Sequence, residues 1–166
     1  MKENVAGKEN LLAKLLSGPA LGQGDFGDPL LGGTAYTMCV YDDAGSLAGR
    51  LDVDRGGMEC AGGDCWRWVG PPPPYGRGYR YADRDASADG VTSLKLLGGP
   101  VGKSQILLKA ANNSAKGQTS LPTGIAAALA GSSSATVQIH GSDAPECFSA
   151  TLGTVLKDTG NFFKAK

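Results

Sequence analysis

The chain has 166 residues, enough for a single domain with a sizeable hydrophobic core. Its 26 glycines and 9 prolines interrupt the sequence so often that long helices are excluded. The 16 basic and 16 acidic residues cancel, so the net charge attracts neither nucleic acids nor anionic membranes, and we expect neither as a partner.

The first ten residues are polar, and we expect them to form a disordered or linker segment. One β-sandwich domain would then cover residues 11–166. The opening of the chain lacks the apolar stretch of a secretory leader. We therefore expect either that the chain is a piece of a longer, secreted protein, or that it is not secreted.

Residues 11–16, Leu-Leu-Ala-Lys-Leu-Leu, combine strong helix formers, and propensity alone favours a helix of two turns. Gly18 and Pro19 end this segment. A strand is the alternative, because Leu11, Ala13 and Leu15 would then share one face.

The rest of the chain is typical of short strands separated by turn residues. Strands are predicted at residues 34–41, 46–54, 59–69 (two strands about a tight turn), 78–82, 91–97, 103–111, 136–140, 146–152 and around Phe162. Pro71 to Pro74 can only be an extended connector. Nine or ten strands with hairpin-length connections predict an all-β fold, an antiparallel β-sandwich of jelly-roll-like type. At most one short helix is expected, between Ile125 and Leu129.

The four cysteines allow two chemistries, a pair of disulfides or a four-thiolate zinc site. Structural zinc sites usually contain two close cysteine pairs, whereas only Cys60 and Cys65 are close here, which favours disulfides. Disulfides indicate an oxidising compartment and therefore a secreted or cell-surface protein. Of the three connectivities we expect Cys60–Cys65 with Cys39–Cys147.

An aspartate-rich loop holds the candidate metal ligands Asp83, Asp85 and Asp89, followed by Gly90. Carboxylates with this spacing can converge on calcium, which binds six to eight oxygens in a flexible cage. The pattern is not that of an EF-hand, and a solvated Asp/Gly turn is the alternative. Calcium is the one cofactor that the sequence suggests.

Four aromatic residues alternate along two predicted strands, namely Trp66, Trp68, Tyr79 and Tyr81. Residues of the same parity share one face of a sheet, so these side chains can form a platform that stacks sugar rings or a protein partner. The alternative is that one tryptophan belongs to the core and the tyrosines cover an edge of the sheet.

His140 is the only imidazole in the chain, and Ser142 and Asp143 follow it closely. These residue types can serve a hydrolase, and a metal-assisted variant would use His140 with a nearby aspartate, Asp143, Asp83 or Asp85. Adjacency in sequence does not bring the three side chains within reach of one another. An exposed histidine at the end of a strand is the alternative, and we expect no enzyme.

Between Lys8 and Lys166 the chain resembles a domain of large secreted bacterial proteins that often carry Cys-rich repeats as well. The marks of the resemblance are residues 25–29 (Asp-Phe-Gly-Asp-Pro), the Cys60-x4-Cys65-Trp66 hairpin, Tyr79-x-Tyr81-x-Asp83, the strand at residues 103–109, Glu146-Cys147-Phe148 and the terminal Phe-Lys-Ala-Lys. That domain has no established activity, so the resemblance implies no site residue. It implies a strand at residues 11–16 and an extracellular setting, which favours disulfides.

We therefore expect a non-catalytic extracellular β-sandwich module, structural, adhesive or glycan-binding, of a larger secreted or surface protein. Its partner would be a carbohydrate or another surface protein. A small metal-assisted hydrolase built on His140 is the first alternative. The second is a subunit of an extracellular filament, whose first strand pairs with the open sheet edge of a neighbour.

Overall fold

A computed structural model describes all 166 residues and shows two antiparallel sheets packed against each other. The strands are β1 (Asn10–Gly18), β2 (Tyr36–Tyr41), β3 (Leu47–Val53), β4 (Glu59–Cys60), β5 (Gly63–Asp64), β6 (Trp66–Val69), β7 (Gly78–Ala82), β8 (Val91–Leu97), β9 (Ser104–Ala111), β10 (Ala135–Gly141), β11 (Cys147–Leu152), β12 (Val155–Asp158) and β13 (Phe163–Ala165). The one α-helix, α1, spans Ile125–Ala128, where the sequence predicted it, and two 3-10 turns cover Gln23–Phe26 and Ser114–Lys116. No helix has the length and apolarity that crossing a bilayer requires.

Nine of the strands form the two main sheets, which confirms the predicted all-β sandwich. The five-stranded sheet has the order β1-β9-β8-β7-β6, and the four-stranded sheet has the order β11-β10-β2-β3. Two small hairpins, β4–β5 and β12–β13, complete the structure. The jelly-roll connectivity is not found, because the short loops from β6 to β9 keep successive strands side by side in one sheet.

The first segment of the domain is a strand, so its helix propensity does not decide its structure. β1 pairs with β9 from Asn10 opposite Ala111 to Leu16 opposite Gln105. Leu11 and Ala13 are buried, whereas Leu12 and Lys14 point to the outside. Burial of one face of the segment against the core therefore outweighs the intrinsic preference of leucine and alanine for helix.

The prediction of a disordered segment at residues 1–10 is wrong. The amino group of Met1 donates a hydrogen bond to the Phe163 carbonyl oxygen at 2.8 Å. The Glu3 carboxylate accepts hydrogen bonds from the amides of Ile125 and Ala126, at 3.2 and 2.8 Å. The amino terminus and the Glu3 side chain thus satisfy backbone groups of β13 and at the start of α1.

Aromatic side chains of β2, β6 and β7 join the two sheets within the core. Trp66 of β6 lies 5.2 Å, centroid to centroid, from Tyr36 of β2 and 5.2 Å from Tyr81 of β7, in tilted arrangements. All three residues are at most 2% exposed. Tilted aromatic pairs at such distances contribute about 0.5–1.5 kcal/mol each beyond the area that they bury.

Replacing Leu51 with alanine should lower the free energy of unfolding by about 2–5 kcal/mol, because this residue is fully buried and its truncation leaves a cavity. Leu47→Ala is the matched control on the same strand; Leu47 is 55% exposed, and a loss within about 1 kcal/mol is expected. Urea unfolding followed by tryptophan fluorescence measures both. Equal losses would show that β3 does not face the core as described.

Candidate functional site

The outer face of the five-stranded sheet concentrates positive charge. The strands of this sheet contain no aspartate and no glutamate. Their charged residues are Lys14, Arg67, Arg80, Lys95 and Lys109. Lys95 is half-buried and the other four are exposed, so we call this surface the basic face.

Strand alternation explains why these cations point outward. Arg80 lies between Tyr79 and Tyr81, which are buried in the sandwich, and Arg67 follows the buried Trp66. Because successive side chains of a strand point to opposite faces, burying the aromatic rings turns the arginines to solvent.

The register of the strands places the cations in a row. Arg67 is opposite Arg80, Arg80 is opposite Lys95, Lys95 is opposite Leu107, and Leu107 is opposite Lys14. The row crosses all five strands of the sheet. With neighbouring strands about 4.8 Å apart, it is roughly 19 Å long.

No carboxylate compensates this row. The one salt bridge of the protein joins Arg50 to Asp52 at 3.0 Å, on the four-stranded sheet. Within the basic face only Arg67 donates a side-chain hydrogen bond, from Nη2 to the Gly62 carbonyl oxygen at 3.4 Å. Opposite charges that face each other across two strands stabilise a sheet by roughly 0.2–1 kcal/mol. Like charges in the same positions destabilise it. The row is therefore unfavourable for folding, and its cations are free to contact an anion.

The predicted aromatic platform is wrong. Trp66, Tyr79 and Tyr81 are at most 1% exposed, and Trp68 is half-buried on the same inner face. Burial raises the pKa of the Tyr79 hydroxyl to about 12 and also raises the pKa of Tyr81. The four residues do share one face, as their parity indicated, but that face is the core.

The aspartate loop does not assemble the predicted calcium site. Asp83 is buried, and its carboxylate accepts hydrogen bonds from the amides of Asp85 and Ser87, at 2.9 and 2.8 Å, and from the Ser87 hydroxyl at 2.7 Å. Asp89 instead accepts a hydrogen bond from the amide of Asp52 at 2.8 Å. No three acidic, cysteine or histidine side chains converge at a distance suited to a metal ion. The loop is a turn closed by hydrogen bonds to the Asp83 carboxylate, and since Asp83 is buried it is not the fully solvated turn of the alternative either.

Opposing effects set the pKa of Asp83. Burial by itself raises the pKa of this carboxyl group, because it disfavours the charged form. Hydrogen bonds from Ser87, Asp85 and Tyr81 stabilise the carboxylate and together lower its pKa below the ordinary value.

The three residues proposed for hydrolysis are not joined. His140 is exposed on β10, opposite Thr37 of β2 and Cys147 of β11. The Ser142 hydroxyl accepts a hydrogen bond from the Ala35 amide at 3.1 Å. Asp143 is exposed, and no hydrogen bond links it to the histidine or the serine. The arrangement lacks the contact between nucleophile and base that a serine hydrolase uses.

One of the two predicted disulfides is present. Cys60 and Cys65 are bridged across the β4–β5 hairpin, with their Cα atoms 4.8 Å apart. The predicted Cys39–Cys147 bridge is wrong, since both residues are free thiols. Cys39 lies on β2 and Cys147 on β11, with β10 between them. Two strand spacings, about 9.6 Å, exceed the roughly 7 Å that a disulfide spans between Cα atoms.

Comparison with known protein families, with curated proteins and with solved structures finds no match for this chain. The candidate site therefore rests on the geometry of the basic face. Sequence reasoning missed this face, although a signal was present: every charged residue in the predicted strands at residues 11–16, 78–82, 91–97 and 103–111 is a cation. The cancelling net charge of the whole chain concealed it.

Alkylation should count two free thiols in the denatured, unreduced protein and four after reduction. In the native protein Cys147, which is exposed, should react faster than the half-buried Cys39, and Cys147→Ser should remove the fast reaction. Intact mass spectrometry measures each count. Absence of alkylation before reduction would restore the Cys39–Cys147 bridge.

Asp83→Asn should lower the free energy of unfolding by about 1–3 kcal/mol at neutral pH, because the amide cannot replace a carboxylate that accepts several buried hydrogen bonds. Its effect should be equal in calcium and in EDTA. Asp85→Asn, at an exposed position, is the control and should stay within about 0.5 kcal/mol.

The stability difference between wild type and Asp83→Asn should also depend on pH. A lowered folded-state pKa gives Asp83 a stabilising contribution that is complete above the ordinary carboxyl pKa of about 4 and is lost as the pH falls through the folded value. The difference in stability between wild type and Asp83→Asn should therefore shrink as the pH is lowered. A calcium-dependent difference would instead support the metal site.

Proposed function

We propose that this chain is a non-catalytic, extracellular binding module of a larger secreted or surface protein, of the kind that the resemblance suggests. The observation that carries the proposal is the basic face. A row of uncompensated cations on a regular sheet provides a fixed surface for an anionic ligand. Sites built on strands hold their side chains more precisely than sites on mobile loops.

The disulfide supports the extracellular setting. Cys60 and Cys65 close a hairpin whose turn, residues 61–64, is exposed. Disulfides at such positions persist in oxidising surroundings, whereas the cytosol keeps thiols reduced. The module thus suits a place on a secreted or surface protein.

A filament subunit is the second candidate, and one observation favours it. The outer strands β1 and β11 each have a free edge, and a groove of about 540 Å³ borders both, with Leu12 and Leu152 in its wall. Leu12 is 50% exposed and Leu16 is 58% exposed. The first strand is not available to pair with a neighbouring molecule, because β1 is already paired with β9 along nearly its whole length. A filament would therefore have to grow by adding a neighbour's strand to a free edge.

The length of a polysaccharide after binding distinguishes a binding module from a hydrolase, because only a hydrolase shortens it. We expect the intact chain to retain polygalacturonate on a column and to release it in salt with its length unchanged. His140→Ala should bind as the wild type does, because His140 lies on the four-stranded sheet, away from the basic face. Size-exclusion chromatography of the released polymer measures its length. Shortening of the polymer by the wild type, absent in His140→Ala, would overturn the proposal.

A further inference from the structure

We infer that the basic face binds a linear anionic polysaccharide, one that carries carboxylate or sulfate groups along its chain, laid across the strands of the five-stranded sheet. The inference deepens the proposed function and rests on it. It names the class of ligand and the residues that hold it, namely Arg67, Arg80 and Lys95 on three consecutive strands of the row, Lys14 beyond Leu107, and Lys109 beside the row on the same strand as Leu107.

The shape of the row points to a polymer. Three cations at consecutive strands lie on a line perpendicular to the strands, and Lys14 continues this line after one apolar position. A single small anion would contact only two of these residues. A chain with repeated negative groups can instead contact the row along its whole length, and each contact adds to the others.

The side chains suit carboxylates and sulfates. Arg67 and Arg80 are directly opposite each other, and each guanidinium can donate two parallel hydrogen bonds to one planar anionic group. Lys95 adds a point charge beside them, and its partly buried stem limits the freedom that it would lose on binding. Neutral hydroxyls of the sugar chain have further partners in Gln105 and Ser93 on the same face.

Nucleic acid fits the face less well. Proteins that bind single strands combine positive charge with exposed aromatic rings on which the bases stack. The aromatic residues of β6 and β7 point into the core, so the basic face presents charge without a stacking surface. The face is also a sheet surface without a projecting helix or ribbon to enter a groove of duplex DNA.

An anionic membrane also fits less well. Peripheral membrane proteins usually add an apolar anchor, with tryptophan or phenylalanine inserted at the interface. No aromatic residue occupies an outer position of the five strands, and the exposed leucines of this face, Leu12 and Leu16, lie on the edge strand β1, at the opposite end of the sheet from Arg67.

The test uses the full chain and two variants with equal loss of charge. The row variant, Arg67→Gln/Arg80→Gln/Lys95→Gln, removes three of the four cations of the row. The control, Lys8→Gln/Lys103→Gln/Lys116→Gln, removes three exposed lysines outside the five strands. Polygalacturonate and dextran sulfate are the probes, and dextran of matched size is the neutral comparison. Isothermal titration measures affinity at low and at moderate salt.

We expect the wild type to bind both anionic probes and not to bind dextran. Its affinity for the anionic probes should fall steeply as the salt concentration rises, because salt screens exposed charges. The row variant should lose at least about tenfold in affinity, whereas the control should stay within about twofold, since a charge contributes where it contacts the ligand. Arg67→Lys/Arg80→Lys keeps the charge and should lose an intermediate amount, because lysine lacks the planar fork.

Several results would overturn the inference. Equal losses in the row variant and the control would mean that binding follows overall charge. Tighter binding of single-stranded DNA, or of vesicles rich in an anionic phospholipid, would assign the face to another class of ligand. Binding by the wild type to none of these probes would remove the site. Binding accompanied by shortening of the polymer would leave the site in place and overturn the non-catalytic function instead.

The melting temperature of the row variant distinguishes loss of the binding site from loss of the fold. Removing like charges from opposed positions should leave its melting temperature equal to or higher than that of the wild type. Circular dichroism on the same samples measures this. A melting temperature well below that of the wild type would show that the row stabilises the fold, and would contradict the inference.

Discussion

The contact between Trp66, Tyr36 and Tyr81 is the constraint on which both the core and the surface depend. It joins the two sheets and fixes the inward face of β6 and β7. Because alternate residues of a strand point to opposite faces of the sheet, the side chains of Arg67 and Arg80 must point outward when the aromatic rings point inward. A slip of one residue in the pairing would place arginines in the core and aromatic rings in water. The stability of the sandwich and the charge of its surface are therefore set by the same register.

Uneven distribution of charge is the second general property of the molecule. The chain is neutral as a whole, yet the strands of one sheet contain only cations, and the carboxylates lie elsewhere. Several carboxylates are occupied in binding backbone amides. Asp83 holds its own turn, and Asp43 and Asp158 accept hydrogen bonds from the amides of Ser133 and Gly131. Several acidic residues thus organise loops, while the cations of the five-stranded sheet form no salt bridge.

The sequence predicted the frame of the structure more securely than its sites. Alternation of polar and apolar residues, together with turn residues, placed β2, β3, β8, β9, β10 and β11 within a few positions of their observed ends. The Cys60–Cys65 bridge was predictable because a short turn brings its two ends together. These features depend on neighbours in the chain, and a local pattern records them.

Features that depend on the order of strands were not predictable in this way. Whether Cys39 and Cys147 meet is decided by the insertion of β10 between their strands. Whether the stripe of Trp66, Tyr79 and Tyr81 faces water or the core is decided by which side of the sheet receives the second sheet. Parity alone shows that residues share a face and does not say which face is covered. The row of cations needed the same missing information, since it is contiguous only when the register of five strands is known.

The pairing at the beginning of the chain has a consequence for how the module can be connected. Lys2 bridges both Asn10 and Phe162, so the two termini described here are neighbours in space. A short peptide joining them would scarcely disturb the sheets, and fresh ends could be opened at the exposed proline run between Pro71 and Pro74. Neighbouring termini make the fold suitable for circular permutation and for insertion into a loop of another domain.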